Sequence, residues 1–186
     1  MRIIAGTARG RSLKLPKNAT LRPTSDRVKE TLFNVLGQFF DGERVLDLYA
    51  GVGSLSLEAL SRGASHVTCV EKDRWNAEAL LANASTLGFA DRVTLLQVPV
   101  ERVWSRLANG RFQLVFSDPP YASGAGAQTL QSLASPGLVE PGARVVLEHD
   151  KREETPERAG PFEREDLRAF GDTVLSFYRH VGAART

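Results

Sequence analysis

Short apolar segments alternate with amphipathic ones between residues 44 and 148, and this alternation restricts the possible folds more than any other feature of the sequence. Runs of β-branched residues are typical of strands, whereas apolar residues three or four apart are typical of helices. Strands separated by helices form a parallel sheet that is covered by helices on both faces. The sequence therefore predicts a doubly wound, Rossmann-like α/β fold.

Glycines and prolines mark the boundaries of the individual elements. Strands are predicted at residues 45–48, 66–70, 93–98, 112–117 and 144–148, and helices at 54–62, 74–87, 101–107 and 128–133. Residues 162–169 and 173–179 also look extended, and Gly171 and Asp172 form a tight turn between them. We therefore expect a mostly parallel sheet that ends in an antiparallel strand pair.

A further helix is predicted ahead of the alternating region. Thr24 is a suitable N-cap with Asp26 in the first turn, and Gly42 would end the helix. Its predicted apolar face consists of Val28, Leu32, Val35, Leu36 and Phe39. Three other aromatic side chains are expected to pack in the interior, namely Trp75, Trp104 and Phe89.

The length of 186 residues indicates a single globular domain that can bury a core without disulfides or metals. Cys69 is the only cysteine, so no intrachain disulfide can form, and the histidines are too scattered to suggest a metal site. No apolar run resembles a signal peptide or a membrane span. We expect a cytoplasmic protein, monomeric by default, without a bound metal.

Positive charge is concentrated at the N-terminus, although the formal net charge is only +2. Six basic side chains precede Asp26 with no acidic residue among them: Arg2, Arg9, Arg11, Lys14, Lys17 and Arg22. This distribution predicts a basic N-terminal extension at residues 1–23, extended or hairpin-like, ahead of the main domain at 24–186. Such an arm favours a polyanionic partner, although basic tails also serve solubility alone.

A glycine-rich turn follows the first predicted strand, which is where open α/β sheets bind ligands. Its positions are Asp47, Ala50, Gly51 and Gly53. Glycines there let the backbone approach a ligand closely, but Ser56 replaces the third glycine of the dinucleotide fingerprint. A carboxylate at Asp47 would oppose a pyrophosphate and favour a cation. The turn therefore favours S-adenosylmethionine, which carries an ammonium and a sulfonium, over NAD.

A second acidic residue, Glu71, ends the second predicted strand, about 20 residues beyond the glycine turn. An acidic side chain at this spacing can accept hydrogen bonds from both hydroxyls of a ribose. Taken alone, Glu71 could equally be a solvated carboxylate paired with Lys72. Together with the glycine turn, the spacing favours the ribose role, and Lys72 is included in the predicted cofactor site.

The fourth predicted strand is followed by the motif Asp118, Pro119, Pro120 and Tyr121. Consecutive prolines fix the backbone and remove its donors, which leaves carbonyl oxygens free to accept hydrogen bonds. A carboxylate and a proline carbonyl can together hold both hydrogens of an exocyclic amine, and a tyrosine can stack on a flipped-out base. Asp-Pro alone could simply end a strand, but the whole motif in this position predicts an amine-methylating site.

The most specific likeness to a known family lies in the N-terminal region, at residues 2–6, 9–11 and 21–34. There Arg22, Pro23 and Thr24 lead into the first predicted helix. With the glycine turn and the Asp118 motif, essentially the whole chain resembles the bacterial small-subunit (16S) ribosomal RNA guanine-N2 methyltransferases. The resemblance implies an S-adenosylmethionine-dependent methyltransferase that modifies the exocyclic N2 amine of a guanine in small-subunit rRNA, within a ribosomal particle.

Residue roles follow from the motifs and the resemblance together. The predicted catalytic residues are Asp118, Pro119, Pro120 and Tyr121. The predicted cofactor-binding residues are Asp47, Ala50, Gly51, Gly53, Glu71, Lys72, Pro99 and Val100. The last two are expected to contact adenine through apolar and backbone groups, where many such enzymes carry an acidic residue. Phosphates of the RNA are expected to bind Arg9, Arg11, Arg22 and Arg27.

Three other functions remain open from the sequence. A DNA adenine-N6 methyltransferase also acts on an exocyclic amine, although such enzymes often have Asn in place of Asp118. A protein methyltransferase is disfavoured by the basic arm. A non-catalytic RNA-binding assembly factor could retain the fold alone, but the intact glycine turn and Asp118 motif argue against a decayed site.

Overall fold

The computed structural model describes residues 1–16, 25–119 and 125–182. The chain divides into two compact units, Met1–Val103 and Trp104–Thr186. Several residues with predicted roles lie outside the described residues: Lys17, Arg22, Thr24, Pro120 and Tyr121.

The first unit contains α1 (Asp26–Leu36), β1 (Arg44–Asp47), α2 (Ser54–Ser61), β2 (His66–Val70), α3 (Arg74–Leu87) and β3 (Val93–Leu96). Its strands are parallel in the order β3, β2, β1, and Asp47 is level with Cys69. Val45 and Leu46 point to opposite faces, and both are fully buried. Burial on both faces explains why strands of this kind have continuous apolar sequences. The predicted strands and helices of this unit after residue 44 are confirmed up to β3 to within two residues.

The predicted helix at 101–107 is wrong. Its place is taken by two short 3-10 turns, Val100–Arg102 in the first unit and Trp104–Arg106 in the second. A 3-10 turn suits a connection of this length because it satisfies its backbone hydrogen bonds within three or four residues.

The second unit contains β4 (Phe112–Ser117), α4 (Ala125–Leu133), β5 (Val139–Asp150), β6 (Arg158–Ala159), β7 (Phe162–Phe170) and β8 (Thr173–His180). β4 and β5 are parallel, whereas β5 pairs with β8, β8 with β7 and β7 with β6 in antiparallel fashion. Gly171 and Asp172 connect β7 to β8, which confirms the predicted antiparallel pair.

Strand β5 is longer than predicted, because Pro141 and Gly142 do not end it. Its pairing with β4 shifts between Phe112 and Leu114, and this irregularity accommodates the two residues. Bulges of this kind let a strand continue past a residue that cannot join the regular ladder. The short strand β6 was not predicted, since two residues carry no periodic signal.

Helix α1 ends earlier than predicted. Ser25 is the N-cap, and its Oγ accepts a hydrogen bond from Val28 N at 3.3 Å. The helix stops at Gly37, whose φ of 101° breaks the helical path five residues before Gly42. Phe39 therefore leaves the predicted apolar face and is 72% exposed.

Two other phenylalanines take the buried place that was predicted for Phe39. Phe33 and Phe40 are buried instead, with their ring centroids 6.0 Å apart in an edge-to-face arrangement. Trp75 was also expected to pack, but it lies in the first turn of α3 with 64% of its surface exposed, so that prediction is wrong. Phe89 is buried as expected.

The N-terminal arm, described for residues 1–16, is a hairpin that packs on the first unit. Ile3 N donates to Arg11 O at 2.9 Å, and Gly10 N donates to Ile3 O at 2.8 Å. Gly6 has φ 81°, and a Cβ at this position would lie 1.8 Å from Ser61 O. Only glycine permits this backbone conformation together with such a close approach. The hairpin structure agrees with the sequence prediction for this segment.

The carboxylate of Glu58 connects the arm, α1 and α2. Ile4 N donates to Oε2 at 2.8 Å and Ala5 N donates to Oε1 at 2.9 Å. Arg62 Nε donates to Oε1 at 2.8 Å, and Lys29 Nζ lies 3.2 Å from Oε2. All three charged side chains are essentially inaccessible to water. The cluster therefore holds three separate segments at one buried point.

The two cations have further partners that offset the cost of burial. Lys29 Nζ donates to Arg2 O at 2.6 Å, and the Arg62 guanidinium lies 4.3 Å from the centroid of the Phe33 ring. Burial lowers the pKa of Lys29, and the Glu58 carboxylate opposes that shift. A buried ion pair is tolerated only when its remaining hydrogen-bonding groups are also satisfied.

We predict that Glu58→Gln lowers the free energy of unfolding by about 3–5 kcal/mol, because it leaves two buried cations without a compensating charge. Urea unfolding at neutral pH measures this change. The matched control is Glu78→Gln, which removes a carboxylate from the exposed Arg74–Glu78 pair and should cost less than about 1 kcal/mol. Equal effects of the two substitutions would contradict a structural role for the cluster.

Candidate functional site

The glycine turn lies between the carboxyl end of β1 and the start of α2. Ala50 N donates to Val70 O at 3.0 Å, and Gly53 N donates to Ala50 O at 2.8 Å. Gly53 has φ 88°, and a Cβ there would lie about 3.0–3.1 Å from side-chain atoms of Leu57 and Leu80. The sequence thus needs glycine at this position for its conformation and for close packing.

Asp47 lies beneath this turn and is only 3% exposed. Its carboxylate accepts hydrogen bonds from the Ser56 hydroxyl and from the backbone N–H groups of Tyr49 and Ser56. Burial and, to a smaller extent, the negative charge of Glu71 raise the pKa of Asp47, while the hydrogen bonds lower it, and the net result is a pKa of about 6. Asp47 therefore fixes the turn and the first turn of α2, as well as placing negative charge there.

Glu71 is held against the same turn from the end of β2. Its Oε2 accepts a hydrogen bond from Gly51 N at 2.8 Å, and its Oε1 accepts one from Asp73 N at 2.7 Å. Each carboxylate oxygen can accept a second hydrogen bond, so these contacts orient the group without exhausting it. The neighbouring Lys72 is exposed.

The segment after β3 also lies near the glycine turn. Pro99 is half-buried, Val100 is buried, and together they begin the 3-10 turn that continues into Glu101. Burial raises the pKa of the Tyr49 hydroxyl, and the negative charge of Glu101 adds to that shift. Hydrogen bonds thus bring Asp47, Ala50, Gly51, Gly53 and Glu71 together around one turn, and Glu101 lies close enough to Tyr49 in that turn to affect its hydroxyl.

The Asp118 motif follows β4 in the second unit. Asp118 is half-buried and Pro119 is buried. Ser117, the last residue of β4, is buried too, and its Oγ has no hydrogen-bond partner among the described residues. The remaining members of the motif, Pro120 and Tyr121, lie outside the described residues, so their predicted roles stay predictions.

The predicted RNA-binding arginines that the structure describes are all exposed. Arg9 lines a cavity of about 310 Å³ together with Glu30 and Arg62, between the arm and α1. Arg11 Nη2 donates to Thr86 O at 2.8 Å, which also ties the arm to α3. Arg27 lies on the exposed side of α1. These three side chains are accessible to a large ligand, and each has different neighbours in the structure.

Two polar residues of the first unit carry more of its structure than the sequence indicated. Asn83 Oδ1 accepts a hydrogen bond from Lys14 N at 2.8 Å, while its Nδ2 donates to Lys14 O at 3.1 Å and to Val52 O at 3.2 Å. Asn83 thus joins the arm to the glycine turn. Asp73 caps α3 by accepting a hydrogen bond from Asn76 N at 2.9 Å. An Asp before a predicted helix signals such a cap, whereas nothing in the sequence singles out Asn83.

The second unit contains a Ser–His pair that sequence inspection did not show. His149 Nε2 lies 2.9 Å from Ser176 Oγ, and Thr155 Oγ1 lies 3.2 Å from the same oxygen. Ser176 is fully buried, so a substrate cannot reach its hydroxyl. We regard the pair as a satisfied polar contact of the sheet.

Residues 1–16, 25–119 and 125–182 contain neither a metal-binding cluster nor a membrane-spanning helix. Within those ranges, the structure contains no group of three His, Cys, Asp or Glu side chains able to hold a metal ion. Within the same ranges, none of the helices is long and apolar enough to span a membrane.

A family model described as "Conserved hypothetical protein 95" matches residues 1–179. The chain belongs to this family. It is 35% identical to YlbH of Bacillus subtilis, which is provisionally named an rRNA methyltransferase, over 98% of this chain and 100% of that protein. It is also 38% identical to Ribosomal RNA small subunit methyltransferase D of Escherichia coli, over 81% of this chain and 75% of that protein. The predicted membership of a small-subunit rRNA methyltransferase family is therefore confirmed.

Solved structures confirm the predicted fold class. The Escherichia coli protein yhhF, provisionally named a methyltransferase, has a TM-score of 0.84 and 34% identity, with 97% of each chain covered. An RNA methyltransferase from Salinibacter ruber, solved with S-adenosyl-L-homocysteine, shares the fold at a TM-score of 0.62 and 17% identity, over 85% of this chain and 93% of that one. The relatives of 35–38% identity are named methyltransferases, which supports S-adenosylmethionine, the predicted cofactor.

The raised pKa of Asp47 predicts a pH-dependent contribution to stability. Between about pH 4 and pH 6 the folded protein keeps this proton while the unfolded chain has released it, so stability falls as the pH rises. A shift from 3.8 to about 6 corresponds to about 3 kcal/mol. In Asp47→Asn that loss should disappear, so the stability of wild type relative to the variant should fall by about 2.5 kcal/mol between pH 4 and pH 7.

Urea unfolding of both proteins at several pH values measures this difference. Asp91→Asn, which removes an exposed carboxylate, controls for the loss of one negative charge. If the Asp47→Asn and wild-type curves run parallel from pH 4 to pH 7, the buried carboxylate is not titrating as described.

Proposed function

We propose that the protein transfers a methyl group from S-adenosylmethionine to the exocyclic N2 amine of a guanine in small-subunit ribosomal RNA. The observation that carries the proposal is the Asp118–Pro119 pair at the end of a parallel strand, in a chain whose curated relatives are named small-subunit rRNA methyltransferases. The relatives' names support ribosomal RNA as the substrate. The choice of guanine N2 rests on the resemblance and on the amine-binding chemistry of the motif.

The first unit supplies groups suited to a cationic nucleoside. Glycine backbone at Gly51 and Gly53 lets a ligand approach the turn, and Ala50 adds little bulk. The oriented Glu71 carboxylate retains acceptor capacity for the two ribose hydroxyls. The negative charge of Asp47 favours a ligand that carries an ammonium and a sulfonium. Around the adenine we place Lys72, Pro99 and Val100.

The chemistry is an in-line displacement on the sulfonium methyl group. The carboxylate of Asp118 and the carbonyl of Pro119 accept hydrogen bonds from the amine, which turns the nitrogen lone pair towards the methyl carbon. The N–C bond forms as the S–CH₃ bond breaks, S-adenosylhomocysteine leaves, and the amine then loses a proton to Asp118 or water. Correct placement of the two reactants supplies much of the rate. Pro120 and Tyr121 are also proposed to hold the substrate base, with Tyr121 stacked on it.

Substrate binding is proposed to depend on the basic arm. Arg9, Arg11, Arg22 and Arg27 would contact phosphates, which position an RNA without reading its sequence. Residues 1–23 then form an RNA-binding extension of a methyltransferase domain at 24–186. We propose a monomer that acts on rRNA within a ribosomal particle. Ribosomal RNA as substrate also fits the cytoplasmic location predicted from the sequence.

The test is transfer of labelled methyl groups to small ribosomal subunits that lack the modification, with naked rRNA and duplex DNA in parallel, followed by nucleoside analysis. Label in N2-methylguanine supports the proposal, and the naked-RNA arm shows whether ribosomal proteins are required. Label in N6-methyladenine of DNA would replace the substrate class. Cofactor binding without transfer to any acceptor would favour a non-catalytic assembly factor.

We predict that Asp118→Ala binds S-adenosylmethionine within about twofold of wild type but transfers methyl groups at least about 100-fold more slowly, because the amine is no longer oriented. Calorimetry and single-turnover transfer measure the two quantities. Asp166→Ala, which removes a half-buried carboxylate from β7 in the second unit, is the matched control and should leave both unchanged. Turnover near the wild-type rate in Asp118→Ala would contradict the mechanism.

The double variant Arg9→Ala/Arg11→Ala should bind RNA less tightly and with a weaker salt dependence. Loss of two phosphate contacts reduces the slope of log K against log salt by about 1.4 for a single strand. Filter binding between 50 and 200 mM salt, roughly the range over which such contacts are resolved, measures the slope. Arg168→Ala, which removes one positive charge outside the arm, is the control. An unchanged slope in the arm variant would show that Arg9 and Arg11 do not contact phosphates.

A further inference from the structure

A chain of buried polar groups leads across the first unit to Asp47. Asp47 on β1 is level with Cys69 on β2, and Ser56 in the first turn of α2 lies between them. Cys69 Sγ donates to Ser56 Oγ at 3.3 Å, and Ser56 Oγ donates to Asp47 Oδ2. Ser56 and Cys69 have no exposed surface, and Asp47 has almost none. Ser56 occupies the position at which a dinucleotide-binding turn has its third glycine. A hydroxyl at this position therefore needs another explanation than backbone contact with a cofactor.

The direction of these hydrogen bonds is fixed by the chemistry of the thiol. Burial raises the pKa of the Cys69 thiol, and the negative charge of Asp47 raises it further, so the sulfur keeps its hydrogen and acts as a donor. Ser56 Oγ accepts that hydrogen bond, and its own hydrogen is left for the carboxylate of Asp47. The hydroxyl thus donates to the charged form of Asp47, which favours ionisation.

Other groups around Asp47 favour either its neutral or its ionised form. Burial and the charge of Glu71 favour the neutral acid, while the backbone N–H groups of Tyr49 and Ser56 favour the carboxylate. Among the described residues no cation pairs with Asp47. The Ser56 hydroxyl is therefore the only side-chain donor among these groups that holds the negative charge in place.

We propose that Ser56, oriented by Cys69, is a positioning residue that keeps Asp47 ionised and so sets the lower pH limit of cofactor binding. The inference rests on the proposed role of Asp47 in binding S-adenosylmethionine. It identifies a residue that need not touch the cofactor and acts through another side chain. Its effect depends on pH, whereas a purely structural loss would weaken binding equally at every pH.

The experiment is calorimetric titration of the full chain with S-adenosylmethionine at intervals between pH 5 and pH 8.5. In wild type, affinity should fall on the acid side as Asp47 takes up a proton. Ser56→Ala should move that acid midpoint upward by about one pH unit, which is a tenfold loss of affinity below the midpoint, and should leave affinity near pH 8 within about twofold. Ser54→Ala, at another buried serine of α2, should leave the midpoint unchanged.

Two further variants guard against misfolding as an explanation. Cys69→Ala leaves the Ser56 hydroxyl free to rotate and should shift the midpoint in the same direction by a smaller amount, whereas Cys69→Ser, which retains a donor, should restore it. In the Asp47→Asn background, Ser56→Ala should produce no midpoint shift. The ¹³C resonance of the Asp47 carboxyl group, followed by NMR against pH, reports its ionisation directly in the ligand-free proteins.

The outcomes separate this inference from the proposed function. A Ser56→Ala midpoint equal to that of wild type, or a uniform loss of affinity at all pH values, overturns the inference and leaves the proposed function intact. Failure of wild type to bind S-adenosylmethionine at any pH overturns the proposed function. In that case the NMR titration still decides whether Ser56 controls the ionisation of Asp47.

Discussion

The first unit depends on one buried carboxylate. Glu58 accepts hydrogen bonds from the arm backbone at Ile4 and Ala5, and it forms ion pairs with Lys29 in α1 and with Arg62 at the C-cap of α2. Such a cluster adds little net stability compared with a well-packed apolar core, because desolvation offsets most of the attraction. The cluster instead fixes the positions of the arm, α1 and α2 relative to one another, since the charges are satisfied only when all three segments are in place. The arm and α1 are thereby held against the helix that begins at the glycine turn.

The glycine turn repeats this arrangement on a smaller scale. Asp47 braces it from below through Tyr49 and Ser56, while Glu71 braces it from the next strand through Gly51. Both carboxylates accept hydrogen bonds from the backbone of the turn in the ligand-free protein. A site that is already organised loses less entropy on binding. The same groups that hold the turn therefore give it the negative charge that suits a cationic cofactor.

Much of the fold was predictable because periodicity and strand ends are local properties of a sequence. The strands β1, β2 and β4, helix α3 and the β7–β8 pair followed from apolar spacing and turn residues. The acidic residues at strand ends indicated the proposed cofactor site. The exceptions have physical causes. A sequence pattern treats Lys29 and Glu58 as surface residues, because their burial depends on partners far away in the chain. The end of α1 at Gly37 altered the environment of Phe39. Trp75 is exposed because the buried side of α3 is formed by Ala77, Leu80 and Ala84, on the opposite side of the helix.

The hydrogen bonds of Asn83 have a practical consequence for anyone who alters the N-terminus. One amide side chain satisfies the backbone of Lys14 in the arm and the carbonyl of Val52 in the glycine turn, while almost wholly buried. Trimming the arm would strip that amide of two of its three partners and admit water beside the turn. A shortened chain, or one fused to a bulky tag that displaces the hairpin, is therefore unsuitable as an RNA-binding-deficient control. Only charge substitutions that leave the hairpin backbone in place separate the proposed RNA binding from the integrity of the proposed cofactor site.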